Sequence, residues 1–239
     1  MIMNRRLIVN NCVIVYALIA ATFTGGCIKN QPQQEVHHFE VDELDAVLAI
    51  IIDLSGSFAG SWDDKAYPLF LNLMDRFFTG AAGSESRVII GQLSGNDDVL
   101  LFQGTPSELR TRFQSPEELN AYLSEHSNPR SSPVFKATRR AVDYVASMPD
   151  VTNNTRSLVV VLSDLVDSET NPQSRTNSGH AMVEALQRYR AKGGGLAFYY
   201  VDQNEEDRWH RIMTKSGYTP GTYVIENEIV ENPTLPSFE

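Results

Sequence analysis

Residues Ala46 to Ile52 read Ala-Val-Leu-Ala-Ile-Ile-Ile, an unbroken apolar run closed by Asp53, Ser55, Gly56 and Ser57. A run this apolar, rich in isoleucine and bounded by acidic and then hydroxyl residues, predicts a strand buried on both faces in the middle of a sheet. In open α/β sheets ligands bind beyond the carboxyl ends of the strands, so Asp53, Ser55 and Ser57 fall where a site is expected. They present hard oxygen donors at alternate positions. The same residues also suit a plain strand-to-helix turn, in which Asp, Ser and Gly serve local hydrogen bonds. The later chain decides between the two.

That later chain alternates regularly between helix and strand patterns. Ala66, Phe70, Leu73 and Phe77 recur at helical spacing, with Pro68 near the first turn. Arg87 to Leu93 and Val99 to Phe102 are short apolar runs joined by Ser94-Gly95-Asn96-Asp97-Asp98, which predicts an antiparallel hairpin. Ser107 to Arg112 and Ser115 to Ser124 read as short capped helices. Ser131-Ser132-Pro133-Val134 opens a helix whose apolar side carries Ala137, Ala141, Val145 and Met148. Ser157 to Leu162 is a second fully apolar β run, and it ends in Ser163-Asp164.

A helix through Val183, Leu186 and Tyr189 follows, stopped by Gly193-Gly194-Gly195 before a buried strand, Leu196 to Val201. A last helix through Trp209, Ile212 and Met213 ends near Gly217, and Thr222 to Ile225 supplies a sixth strand. With one hairpin at the edge, this order predicts an α/β fold: a doubly wound, mostly parallel six-stranded sheet with one antiparallel edge strand. The chain has 239 residues, 42% of them hydrophobic, enough for one such domain with a substantial core.

Asp53-x-Ser55-x-Ser57 resembles the metal-ion-dependent adhesion site of the von Willebrand factor type A (vWA) domain, in which Asp-x-Ser-x-Ser is followed by a distant Thr and a distant Asp. Ser132-Pro133-Val134 is similar to the family's Thr-Pro-Leu turn, with Ser for Thr. Asp164 stands where the family has the Asp that ends the fourth strand, and Leu165 stands where glycine is usual. The resemblance covers about Leu44 to Ile225. It implies a Rossmann-like vWA fold and a divalent ion held by Asp53, Ser55, Ser57, Ser132 and Asp164, with Ser131 as the alternative to Ser132.

In the family pattern the hydroxyls bind directly and the aspartates act largely through water. An oxygen-only donor set suits Mg2+, with Mn2+ or Ca2+ as alternatives. An ion so little neutralised remains electrophilic and takes a carboxylate from a protein partner. Serine at position 132 lacks the methyl group that fixes a threonine rotamer. A plain Ser cap on the helix start is the competing reading there. Asp167 and Glu169, just beyond, read as a solvated acidic loop, and Asp63 and Asp64 as charges at a helix start.

Catalysis is not indicated. Asp53 is separated from Ser55-Gly56 by one residue, unlike the Asp-Thr-Gly of aspartic proteases, and Ser55 replaces the second Asp of a haloacid-type phosphatase. The chain contains no Gly-x-Ser-x-Gly elbow and no phosphate-binding Gly-rich loop with Lys. His126, His180 and His210 fall in separate segments without ligand spacing. A metal-dependent hydrolase or phosphatase is the alternative class, and a vWA fold with a vestigial metal site acting as a scaffold is the third. Nucleic acid is excluded by charge: 20 basic against 30 acidic residues give a net charge of −10 and no basic stripe.

The first forty residues carry a different message. Arg5 and Arg6 precede an apolar stretch from Cys12 to Phe23 and then Thr24-Gly25-Gly26-Cys27, the layout of a signal peptide. The end of it resembles a bacterial lipobox, which implies lipidation of Cys27 and a cell-envelope location, on the outer membrane if one exists, facing periplasm or exterior. Loss of two arginines would take the net charge from −10 to −12. The expected organisation is a signal peptide over 1–26, a polar tether over 27–43 containing His37 and His38, the vWA domain over 44–226, and a polar tail over 227–239.

Overall fold

A computed structural model describes residues 42–55, 66–79, 85–93, 99–126, 131–227 and 232–238. The proposed signal peptide, Cys27, the tether up to residue 41, Ser57, Trp62, Asp63, Asp64 and the 94–98 turn lie outside them. In chain order the elements are β1 (Ala46–Ile52), α1 (Tyr67–Thr79), β2 (Ser86–Gln92), β3 (Leu100–Gly104), α2 (Pro106–Arg112), α3 (Pro116–Glu125), α4 (Val134–Ser147), β4 (Arg156–Leu162), α5 (Pro172–Ala191), β5 (Gly195–Tyr199), α6 (Gln203–Lys215) and β6 (Tyr223–Glu226).

The strands form one six-stranded sheet in the order β3-β2-β1-β4-β5-β6. Only the β2–β3 pair is antiparallel, so the hairpin expected from sequence forms the edge. β1 lies inside the sheet with all seven residues buried, as its isoleucine-rich run requires. Its alternate side chains feed two cores. Val47, Ala49 and Ile51 join Val159 and Val161 beneath α4, α5 and α6, where Trp209 packs 4.8 Å from Phe198 and 5.9 Å from Phe135, ring centre to ring centre. Leu48, Ile50 and Ile52 join Leu158, Val160 and Leu162 beneath α1, with Leu109, Leu119 and Leu123 of the short helices. A Cβ on Gly91 would come within 2.9 Å of both Ile51 and the Val99 carbonyl, which explains a glycine where the β2–β3 register shifts.

Helix starts follow local chemistry. α2 begins two residues earlier than its serine suggested, because Thr105 and Glu108 form a reciprocal capping box: the Thr105 hydroxyl accepts the Glu108 N–H at 3.1 Å, and Glu108 accepts the Thr105 N–H at 2.6 Å. Ser115 caps α3 as expected.

The carboxyl-terminal residues 232–238, polar in composition, are folded onto the sheet. The Arg156 guanidinium sits 5.0 Å from the Phe77 ring centre and 4.4 Å from that of Phe238, and the two rings meet edge to face at 6.1 Å. The Ser237 N–H donates to the Gly221 carbonyl at 2.7 Å, and the Tyr199 hydroxyl donates to the Thr234 carbonyl. Among the described residues no helix is long and apolar enough to cross a membrane.

Position of the site follows from topology. From β1 the chain moves outward to β2 and β3, then returns past β1 to β4 and on to β5. The crevice between the carboxyl ends of β1 and β4 is therefore the switch point of the sheet, where ligands bind. Ile52 pairs with both Gln92 and Leu162, so the three strands end level and Asp53 emerges beside Ser163.

Candidate metal centre

Asp53 is fully buried, and three donors converge on its carboxylate. Oδ1 accepts the Ser55 N–H at 3.0 Å and the Ser132 hydroxyl at 2.9 Å, while Oδ2 accepts the Ser163 hydroxyl at 2.8 Å. Its own N–H continues the ladder to the Leu162 carbonyl at 2.9 Å. Ser132 Oγ also lies 2.7 Å from Ser55 Oγ. A hydroxyl carries one proton, so Ser132 donates to Asp53 and accepts from Ser55.

Ser132 does not act as the cap of α4. The N-cap position of α4 is Pro133, and the helix receives no hydrogen bond from a capping side chain at that position. The Ser132 hydroxyl turns instead to Asp53 and Ser55, across 79 and 77 residues of sequence. The Phe135 N–H, which the helix itself leaves without a partner, is satisfied from another loop, donating to Asp167 Oδ2 at 3.0 Å. Asp167 is thus buried and structural, which corrects the expectation of a solvated acidic side chain. Its burial is made tolerable by the α4 N-terminus, whose dipole favours a carboxylate.

Asp164 follows Ser163 at the end of β4, half-buried, with Oδ1 accepting the Val166 N–H at 3.0 Å. Leu165, at the family's glycine position, keeps the left-handed backbone that glycine would take, φ 61°, and is fully buried. A left-handed leucine costs about 1–2 kcal/mol, which its burial offsets. Glu169 accepts the Ser174 hydroxyl at 2.7 Å, the Asn171 N–H and the Lys136 ammonium at 3.1 Å. These bonds, Ser174's first, pull its carboxyl down to about 2.

The structure therefore brings Asp53, Ser55 and Ser132 into direct contact and sets Asp164 on the neighbouring strand end. Sequence reading missed Ser163, which holds Asp53 from the far side. The β1–β4 register was the signal that could have found it. Among the described residues no group of three or more His, Cys, Asp or Glu side chains is gathered to hold an ion, and the oxygens brought together here are those of the Asp53 carboxylate and the Ser55 and Ser132 hydroxyls. The donor set fits one. Mg2+ takes oxygens at 2.0–2.1 Å in an octahedron, which puts adjacent ligands about 2.9 Å apart. The Ser132–Asp53 and Ser132–Ser55 oxygen separations, 2.9 and 2.7 Å, match that edge. Of the described histidines, His126 bonds to the Tyr122 carbonyl and His210 to the Tyr223 hydroxyl.

No protein-family model and no curated protein matches the chain. Solved structures do. A point mutant of the PilB minor pilin from Streptococcus sanguinis aligns with TM-score 0.51 at 11% identity, covering 79% of this chain and 58% of that one. Manganese-loaded TRAP protein of Plasmodium vivax gives 0.49 at 12% identity over 77% and 68% of the two chains. The pilus adhesin SpaC from Lactobacillus rhamnosus GG gives 0.48 at 12% identity, covering 78% of this chain and 28% of the adhesin. The chain thus spans 28% and 58% of the length of the adhesin and the pilin. At such identity the pilin establishes a shared fold alone. Together with the five parallel strands and one antiparallel edge, that fold is consistent with the vWA, Rossmann-like kind.

Proposed function

We propose that the chain is a non-catalytic vWA-type binding module that takes a divalent ion at Asp53, Ser55, Ser57, Ser132 and Asp164. The observation that carries this reading is the Ser132 hydroxyl, which leaves its own helix to join Asp53 and Ser55 at the switch point of the sheet. Bound there, a divalent ion would supply an electrophilic centre for a carboxylate of a protein partner. The chain's own residues perform the positioning. Ser163 and the Ser55 N–H fix the Asp53 carboxylate, and the Ser132 carbonyl, accepting the Val134 and Ser168 N–H groups, ties the α4 start to the Asp164–Asn171 loop. Mg2+ is the ion expected first, with Mn2+ or Ca2+ as alternatives. Acylation at Cys27 would keep the module at a bacterial membrane, since a lipid chain contributes about 0.8 kcal/mol per buried methylene.

Affinity capture from envelope extract tests the reading: a partner should be retained with Mg2+ and lost with chelator or in Asp53→Ala. Equal retention under all three conditions contradicts it. Cys27→Ser should abolish acyl labelling and release the protein from membranes, and unchanged membrane association would remove the anchor.

A further inference from the structure

A second surface stands beside the first. α5 and α6 enclose a cleft of about 340 Å³ whose floor is apolar, formed by Phe135, Val183 and Ile212. Its walls are basic: Arg175 rises from α5, with His180 beside it, and Arg208, Arg211 and Lys215 rise from α6. Among the described residues no carboxylate lines it, in a chain whose net charge is −10. Asp167 approaches Arg175 Nε at 4.0 Å and Glu205 pairs with Arg208 at 3.0 Å. Arg211 and Lys215 make no ion pair among the described residues, and the buried Arg175 Nε donates to no acceptor.

Gly179 gives an independent reason to see the cleft as a site. It lies inside the 20-residue α5, where glycine is worse than alanine. Packing does not demand it, because a Cβ there would meet only the Phe135 ring, at an ordinary 3.7 Å. What the missing side chain does is leave room in the cleft beside the edge of the Phe135 ring, whose centre lies 4.9 Å from the Arg208 guanidinium. Residues 175, 179 and 183 on α5 and 208, 212 and 215 on α6 fall at helical spacing, so apolar floor and charged rim run together along about 12 Å of helix, the length of four extended residues.

We propose that this cleft binds a short acidic segment of a protein partner, with carboxylates on the arginine and lysine rim and apolar side chains on the Phe135–Ile212 floor. Charge complementarity selects the occupant: a basic groove on an acidic protein repels the rest of its own surface type and draws glutamate- or aspartate-bearing chains. The cleft begins at Phe135 and Arg175, both tied to Asp167 in the loop that follows Asp164. A partner placing one carboxylate at the metal centre could therefore continue into it. The inference goes beyond the metal-site reading and does not depend on it.

The test uses the full chain in chelator, so that its outcome is separate from ion binding. A fluorescein-labelled octapeptide of alternating Glu and Leu is titrated by anisotropy against an otherwise identical Gln-Leu peptide, and phosphatidylglycerol vesicles are assayed by co-sedimentation. Saturable binding of the acidic peptide is expected, weakened about tenfold or more for the Gln peptide and for the exposed double variant Arg211→Glu, Lys215→Glu. Gly179→Leu should block the floor, while Gly179→Ala raises the melting temperature. Absence of peptide binding, or binding unchanged in both the charge-reversed and Gly179→Leu proteins, overturns the proposal. Vesicle binding that disappears in those variants while the peptide fails to bind also overturns it, and assigns the cleft to anionic lipid.

Discussion

The two ends of the sheet are built from opposite materials. At the amino ends of β4 and β5, rings and an arginine close the core: Phe77 and Phe238 meet edge to face and Arg156 packs over both. At the carboxyl ends of β1 and β4, the closure is a buried carboxylate surrounded by hydroxyls, Asp53 with Ser55, Ser132 and Ser163. Burying polar groups contributes little net stability even when every bond is made, whereas burying rings contributes strongly. The amino end therefore contributes more to holding the fold together, and the carboxyl end is where the proposed function would reside.

That contrast can be broken by mutation. Phe77→Ala should cost the most, about 3–5 kcal/mol of unfolding free energy in urea, by opening a cavity under Arg156. Ser163→Ala should cost about 1–3 kcal/mol, because it leaves one acceptor on Asp53 and the Leu165 N–H without their partner. Its larger effect should fall on ion affinity, by about 10–100-fold in a titration with Mn2+, because Ser163 orients a ligand. If Ser163→Ala proved as destabilising as Phe77→Ala, the two ends would not differ in kind. Phe238→Ala removes one edge-to-face pair and one cation–π contact, about 1 kcal/mol, visible as a small drop in melting temperature without change in ion binding.

The smallest effect concerns pH. Glu169 is lowered from 4.5 to about 2 by its folded-state bonds, so its contribution is complete above pH 4.5 and fades as pH falls towards 2. Its exposure keeps the global effect slight. An NMR titration should find the Glu169 midpoint near 2 and, in Ser174→Ala, a midpoint shifted upward.

Much of the fold was legible because β1 and β4 are apolar on both faces, which only a strand inside a helix-covered sheet tolerates. The hairpin edge was legible from turn chemistry. The site was half legible: Asp53, Ser55 and Ser132 could be named, but a Ser-Pro helix start looks the same whether its hydroxyl caps or leaves. Tertiary partners decide that, and here Asp167 supplies the bond that Ser132 does not. Asp167 misled for the same reason, since an acidic loop reads as solvated until the α4 N-terminus is placed against it. Ser163 was hidden because its partner lies 110 residues away and meets it only through strand register. The tail's polar composition concealed Phe238, whose burial depends on Arg156 and Phe77 rather than on any local pattern.

Isothermal titration of the full chain with Mg2+ and Mn2+ tests the central claim most directly, run on the wild type, Ser132→Ala and Asp53→Ala with a thermal melt of each. One saturable site is expected in the wild type with a rise in melting temperature, an affinity about tenfold weaker in Ser132→Ala, and no binding in Asp53→Ala. Wild-type protein that gives no heat and no stabilisation with either ion, or an Asp53→Ala protein that titrates like the wild type, would contradict it.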